Sequence, residues 1–141
     1  MNRCFKHPLA LNLKFGRANV ITSNIEAILI VTGALTATIL AQFVAPSWTV
    51  RHAFGKIPSG RVSIALARHW GLLLFCVGAL LVYSAFDPAI RLAAVLLASV
   101  EKAGFAACVL GTPLRQRPIA SMLAIGDALM VVIYALYLVG L

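Results

Sequence analysis

Long apolar runs alternate along this chain with short polar connections. A run of about 20 apolar residues is the length that crosses the hydrocarbon core of a bilayer as an α-helix. Backbone polar groups in lipid must be satisfied within the segment, which excludes lipid-exposed loops and open sheets. The pattern therefore predicts an all-α, polytopic membrane protein, an antiparallel bundle of four transmembrane helices. The predicted spans cover residues 25–44, 62–84, 89–110 and 119–139.

The runs are separated by residues that end helices. Ala45-Pro46 follows the first run and Gly111-Thr112-Pro113 follows the third. The longest connection, "PSWTVRHAFGKIPSGRVS", carries Trp48 and several basic residues, and we interpret it as a surface loop at the lipid headgroups. The first run is longer than the apolar part of a signal peptide and three more runs follow, which favours a retained span. Residues 1–23 form a basic tail that we expect to lie on the membrane surface or to be disordered, and residues 24–141 form a single membrane domain.

Small residues recur at helical spacing within the runs. Gly33, Ala37 and Ala41 follow one another at intervals of four in the first run, and Gly71 and Gly78 lie in the second. Small side chains let helix backbones approach closely in lipid, where van der Waals contact drives association. We expect these positions to mark helix–helix contacts.

The composition supports lipid as the solvent of the chain. Of the 141 residues, 62% are hydrophobic and 11% are charged, whereas a soluble domain has about 45–50% apolar and about 25% charged residues. The 12 basic residues outnumber the 4 acidic ones, but they lie mainly in the tail and the connections, as is typical of membrane proteins. We therefore expect the lipid bilayer and no nucleic acid as a partner, and a multi-pass position in the cell (inner) membrane. The basic residues are divided almost equally between the two ends of the bundle, which indicates no orientation.

The cysteines and histidines form no recognisable metal or redox motif. Cys76 and Cys108 lie inside apolar runs and no CxxC pair is present, which is typical of small packing residues. The three histidines lack metal-ligand spacing. We expect no metal and no evident cofactor, and a quinone or lipid would be held by shape alone.

Ionisable residues inside the runs need partners. A charge at the bilayer centre costs about 2.5–3.5 kcal/mol on insertion scales. Lys102 lies thirteen residues before Arg115 and Asp127 lies twelve after it, so the two are level across the third connection and predict an ion pair. Glu26 and Arg91 begin the first and third spans at the same membrane face, which predicts a second pair near the headgroups.

Counted from Asp87, His69 lies eighteen residues before and Glu101 fourteen after, an offset of roughly 6 Å that the Glu101 side chain can span toward Arg68 or His69. Successive residues on a helix point about 100° apart, so Glu101 is free to face the second span while Lys102 faces the fourth. This predicts one intramembrane polar cluster, with Trp70, Phe75, Phe105 and Tyr83 as candidate apolar lining and Tyr134 and Tyr137 as interfacial residues. The predicted cluster comprises Arg68, His69, Trp70, Glu101, Lys102 and Asp127.

The segments "ARHWGLLLFCVGALLVYS" and "AAVLLASVEKAGF" combine a basic entry to the second span with a polar break in the third. In this, and in its size and short connections, the chain resembles the DoxX-like families of small four-helix bacterial membrane proteins. That resemblance implies quinone-linked redox chemistry or an accessory role, and hence a lipophilic ligand.

Several functions remain open for the cluster. It is either a charge-paired lock between helices or a polar pocket for a lipophilic ligand, a proton path or an acid/base site. The leading interpretation is an accessory or assembly subunit, or a binder of a lipid or quinone-like molecule, with a protein partner in a larger complex or a homo-oligomer. The alternative is a small isomerase or oxidoreductase in which His69 and Glu101 are the catalytic acid and base. A third is a multidrug-type, proton-coupled transporter that depends on Glu26.

Overall fold

Helices make up nearly all of the chain that the structure describes. The computed structural model describes residues 20–55 and 58–140, and no strand occurs in these two segments. The helices are α1 (Val20–Ser23), α2 (Ile25–Ala37), α3 (Leu40–Val44), α4 (Pro46–Phe54), α5 (Arg61–Phe86), α6 (Pro88–Leu110), a 3₁₀ turn (Pro113–Gln116) and α7 (Pro118–Leu138). Most of the basic tail predicted over residues 1–23 lies outside the described residues.

Four helical segments are long and apolar enough to cross a membrane. The first span, Ile25–Val44, combines α2 and α3, and the second, third and fourth spans are α5, α6 and α7. The predicted all-α four-helix architecture is confirmed, and the span boundaries agree with the predicted ones to within two residues. The chain is a multi-pass membrane protein.

Prolines and one aspartate set the starts of the later spans. Pro88 and Pro118 occupy the first turns of α6 and α7, where the missing N–H costs no hydrogen bond. Asp87 caps α6, since its Oδ1 accepts a hydrogen bond from the Ala89 N–H at 3.0 Å. The second connection is therefore a tight reversal that sets the third span directly beside the second.

The first connection contains a helix that the sequence did not predict. Pro46 starts α4 at a position that tolerates proline. Gly55 ends it with φ of 72°, a left-handed conformation that glycine adopts without strain. The interpretation of this connection as a loop is wrong for residues 46–54, because Pro46 and Gly55 mark the two ends of a helix here and do not interrupt one.

The first and second spans pack backbone to backbone through glycines. A Cβ on Gly78 would lie 2.6 Å from both the Ala37 nitrogen and the Gly33 oxygen, and one on Gly71 would lie 2.7 Å from the Phe43 nitrogen. These positions can hold only glycine without a shift of the helices. The expectation that Gly33, Gly71 and Gly78 mark helix contacts is confirmed.

The core lies between all four spans at the end of the bundle that holds the second connection. Leu29, Leu81, Val95 and Tyr134, one from each span, are fully buried there. The second span packs mainly on the first, and the third packs mainly on the fourth. The bundle is thus two helix pairs joined along the second and third spans.

Tyr134 lies in this core and not at the membrane interface. Its hydroxyl donates to Thr32 Oγ1 at 2.6 Å, and the Thr32 hydroxyl donates in turn to the Ile28 carbonyl at 2.7 Å. The interfacial interpretation of Tyr134 is therefore wrong. The phenol serves as a hydrogen-bonded link between the fourth and first spans, which satisfies its polar end in an apolar core.

Replacement of Tyr134 by Phe removes this link and leaves the ring in place. Because hydrogen bonds between membrane helices average about 0.6 kcal/mol and reach about 1.7 kcal/mol, we expect a loss of unfolding free energy in that range. Reversible unfolding in mixed micelles measures it. A double-mutant cycle with Thr32→Val gives the coupling, and fully additive losses would show that the two hydroxyls do not interact.

Arg91 closes the bundle end at the second connection. Its guanidinium donates to the Ser84 and Ala85 carbonyls at 3.0 and 2.9 Å, which are among the last carbonyls of α5 and have no partner within that helix. The predicted pair with Glu26 is present at 3.5 Å, but the Glu26 side chain is 70% exposed, against 12% for Arg91. Arg91 therefore stabilises the fold mainly as a helix cap.

This difference predicts unequal effects for the two partners. Arg91→Gln should cost about 1.5–3 kcal/mol, since hydrogen bonds from a charged donor are lost. Glu26→Gln should cost less than about 1 kcal/mol, as is usual for an exposed ion pair. Equal losses in the same unfolding assay would mean that the ion pair, and not the cap, is what Arg91 contributes.

Candidate functional site

An ion pair joins the third and fourth spans in the interior of the bundle. Lys102 Nζ donates to Asp127 Oδ1 at 2.8 Å, and the Lys102 side chain is only 3% exposed. The short distance and the burial make this a charge-assisted hydrogen bond in a poorly polarisable medium. The pair predicted from the helix register is present.

Glu101 adds a second carboxylate beside the same ammonium. Its Oε2 lies 3.9 Å from Lys102 Nζ, too far for a hydrogen bond. This oxygen is buried and has no hydrogen-bond partner among the residues that the structure describes. Lys102 is therefore hydrogen-bonded to Asp127 and forms only a longer ion pair with Glu101, whose Oε2 is an acceptor without a donor in the described structure.

These three side chains face a cavity of about 310 Å³ between the spans. The first span closes one side and the fourth the other, while Leu74 of the second span and Phe105 of the third contribute apolar surface. Its wall is mainly aliphatic, aromatic and thioether groups, with few polar atoms. The lining residues are Leu35, Thr36, Thr38, Ile39, Leu74, Glu101, Lys102, Phe105, Met122, Leu123, Gly126, Asp127 and Met130.

The cavity lies where the first span is interrupted. Between α2 and α3 the backbone forms hydrogen bonds between residues three apart, as in a 3₁₀ helix. The Ile39 N–H donates to the Thr36 carbonyl at 3.2 Å, and the Gln42 N–H donates to the Ile39 carbonyl at 2.8 Å. Such a 3₁₀ stretch inside a helix often marks a functional position. Here the interrupted stretch contributes Thr36, Thr38 and Ile39 to the cavity lining.

The hydroxyl groups of the lining are already used as donors. Thr36 Oγ1 donates to the Thr32 carbonyl at 2.8 Å, and Thr38 Oγ1 donates to the Leu35 carbonyl at 2.6 Å. Their hydrogens point back to their own helix, as is common for threonine in membrane helices. What these hydroxyls can offer to the cavity is their oxygen lone pairs.

Arg68, His69 and Trp70 do not belong to this site. All three are exposed, none lines the cavity, and within the described segments neither Arg68 nor His69 forms an ion pair or hydrogen bond with Glu101. The prediction that these three residues belong to the six-residue cluster is therefore wrong. The physical reason is that Gly71 lets α3 of the first span pack against α5 at this level, where Gln42 Nε2 also donates to the Ala67 carbonyl at 3.0 Å.

Of the aromatic residues considered as lining, Phe105 alone faces the cavity. Trp70 and Tyr83 are exposed, and Phe75 is half-buried outside it. The sequence reasoning missed the contribution of the first span, from Leu35 to Ile39. A signal for it was present, since Thr32 and Thr36 lie four residues apart in an otherwise apolar run and mark its polar face.

A second depression, of about 510 Å³, lies at the end of the bundle that holds the first and third connections. It is formed by Phe54 of α4 and by Pro113, Leu114, Gln116 and Arg117. The Arg117 guanidinium is close to the Gly55 backbone, where a Cβ would meet it at 2.8 Å. This depression has one charged group and no carboxylate, so its chemistry is sparser than that of the intramembrane cavity.

Across the described ranges, no group of three or more histidine, cysteine, aspartate or glutamate residues has a geometry that holds a metal ion. The chemistry available in the cavity is therefore that of two carboxylates, one ammonium and an apolar wall.

Comparisons with known proteins give no relative for this chain. No protein-family model matches it, and no curated protein and no solved structure matches it either.

Proposed function

We propose that this protein binds a lipophilic small molecule with a polar head, such as a lipid or a quinone-like compound, in the cavity between its spans. The observation that carries the proposal is a mainly apolar cavity between the spans whose lining includes the Glu101 carboxyl group, one oxygen of which has no hydrogen-bond partner among the described residues. Ligand pockets are typically of about 300–1,000 Å³ and mostly apolar, with a few polar groups that orient the ligand. The cavity has this size and this composition.

A purely structural lock accounts for less of the site. Such a lock needs the Lys102–Asp127 pair, which is complete by itself. It needs neither a second carboxylate without a donor nor an unfilled space beside the pair. Buried polar groups in native proteins are nearly always satisfied, so an orphan next to a cavity is a reason to infer a partner that enters it.

The other hypotheses receive less support. Acid/base catalysis by His69 and Glu101 requires the two to meet, and His69 is exposed outside the cavity. Transport through Glu26 requires a carboxylate inside the bundle, and the Glu26 side chain is 70% exposed at the start of the first span. An accessory role with a protein partner or a second copy rests on no particular contact. Membership of the DoxX-like group and a cell (inner) membrane location stay predictions, and both agree with a lipophilic ligand.

Filling the cavity should remove the ligand without harming the fold. In the described structure a Cβ on Gly126 meets no atom within 4 Å, so the first carbon of the new side chain in Gly126→Leu meets no clash and the rest adds apolar volume to the lining. Native mass spectrometry of protein purified gently from its own membrane should find a small lipophile on the wild type and none on Gly126→Leu.

Gly104→Leu is the matched control. Gly104 also has open space around it, lies in a membrane helix and is absent from the cavity lining. It should retain the lipophile at the wild-type occupancy. Identical ligand content in all three proteins, or none in any of them, would contradict the proposal, and a stoichiometric protein partner without a small molecule would favour the accessory role.

A further inference from the structure

We infer that the polar head of the ligand is a cation that donates hydrogen bonds, so that the ligand is a lipophilic amine in its protonated form. This inference rests on the proposed function and adds the chemical class of the head group. It follows from three properties of the cavity wall: its charge, its hydrogen-bonding capacity and its apolar surface.

The wall contains one more negative than positive group. Glu101 and Asp127 contribute two carboxylates, whereas Lys102 contributes the single ammonium that the lining holds. Lys102 Nζ lies 2.8 Å from Asp127 and 3.9 Å from Glu101, so two carboxylates share one ammonium. In a medium of low dielectric, a net negative charge on such a triad is strongly disfavoured, so a ligand that brings one positive charge balances the two ionised carboxylates.

The side chains of the wall offer a ligand mainly hydrogen-bond acceptors. The Thr36 and Thr38 hydroxyls donate to their own helix, and Lys102 is bonded to Asp127 and almost fully buried. The carboxyl of Glu101 and the threonine oxygens retain lone pairs. A ligand with N–H donors is matched to this set, whereas a quinone carbonyl or a carboxylate would find a donor only in the Lys102 ammonium, which is 3% exposed and already bonded to Asp127.

The apolar part of the wall suits an organic cation. Phe105 offers an aromatic ring, whose π-face attracts cations. Met122 and Met130 offer polarisable thioethers that adapt to an irregular ligand. The remaining aliphatic lining would surround the hydrocarbon part of the amine.

Three probes with one hydrophobic body test the head group directly. 4-Phenylbutylamine, 4-phenyl-1-butanol and 4-phenylbutyrate share a phenyl ring on a four-carbon chain, which ends in a cation, a neutral hydroxyl or an anionic carboxylate. Isothermal titration of the full chain in lipid nanodiscs, with empty nanodiscs as the blank, measures saturable binding of each. We expect the amine to bind at least about tenfold more tightly than the alcohol, because an ion-paired hydrogen bond to Glu101 replaces a neutral one. We expect no binding of the butyrate.

Variants assign this preference to the cavity. Glu101→Gln should weaken amine binding about tenfold and leave alcohol binding nearly unchanged, because only the charge is lost. Glu26→Gln makes the same substitution at an exposed carboxylate and should change neither. Gly126→Leu should abolish binding of both probes, and Gly104→Leu should retain it.

Each other outcome has a distinct meaning. Equal binding of the alcohol and the amine, lost together in Gly126→Leu, would overturn the cationic head group and leave the binding function standing. Preference for the butyrate, or for duroquinone, which has hydrogen-bond acceptors and no donors, would also overturn the cationic head group. Absence of saturable binding by any probe would overturn the inference, and the proposed function too would fail if native mass spectrometry found no lipophile.

Discussion

Lys102→Met should be among the most destabilising single substitutions in this protein, with a loss of about 3–5 kcal/mol in unfolding free energy. Methionine keeps the length and most of the volume of the side chain, so the packing change is small. What is lost is the one positive charge between Asp127 and Glu101, with the Lys102 side chain only 3% exposed. Removal of one partner from a buried pair leaves the other without compensation, and here two carboxylates would remain.

Reversible unfolding in mixed micelles measures this loss, and a double variant identifies its cause. Lys102→Met combined with Asp127→Leu removes both members of the pair and should be less destabilised than Lys102→Met alone. Replacement of a buried ion pair by apolar residues is often nearly neutral. If the two substitutions are instead additive, the destabilisation does not come from an unpaired charge.

Gly78→Ala should separate the first and second spans, although it adds a single methyl group. That methyl would lie 2.6 Å from the Ala37 nitrogen and the Gly33 oxygen, and both are backbone atoms that no side-chain rotation can move. Overpacking of a tight interface costs about 1–3 kcal/mol, and we expect the upper end of this range because the helices themselves must shift.

The matched control for this variant is Gly104→Ala in the third span. A Cβ there meets no atom within 4 Å in the described structure, so the substitution adds helix propensity without a clash. It should leave stability unchanged or raise it by up to about 1 kcal/mol. Gly78→Ala should therefore lower the unfolding free energy, whereas Gly104→Ala should not. A tolerated Gly78→Ala would contradict the close approach of the first and second spans.

Sequence periodicity was sufficient for the four spans, and residue counts were sufficient for the relative level of Lys102 and Asp127 on neighbouring spans. Apolar runs give helix lengths directly, and residue counts on either side of a connection place Lys102 level with Asp127. That level agrees with the structure, where Lys102 Nζ and Asp127 Oδ1 are 2.8 Å apart.

Periodicity does not tell which neighbouring helix a given helix face contacts. The incorrect predictions for His69 and Tyr134 have this origin. His69 is near the level of Glu101 but lies on the exposed face of α5, whose contacts at this height are with α3. The fourth span shows what was missed, since Asp127 and Tyr134 are seven residues apart and lie on one helix face. That face carries both the ion pair and the hydrogen bond to Thr32.

The bound lipophile can be located with photo-methionine, a diazirine analogue that replaces methionine during synthesis. The chain has three methionines, and two of them, Met122 and Met130, line the cavity. Met122 is 75% exposed and should also capture bulk lipid, whereas Met130 is half-buried. Irradiation in native membranes followed by peptide mass analysis should give one defined adduct mass on Met130, absent in Gly126→Leu and present in Gly104→Leu. The same spread of phospholipid masses on Met130 as on Met122 would show that the cavity admits bulk lipid and holds no ligand of its own.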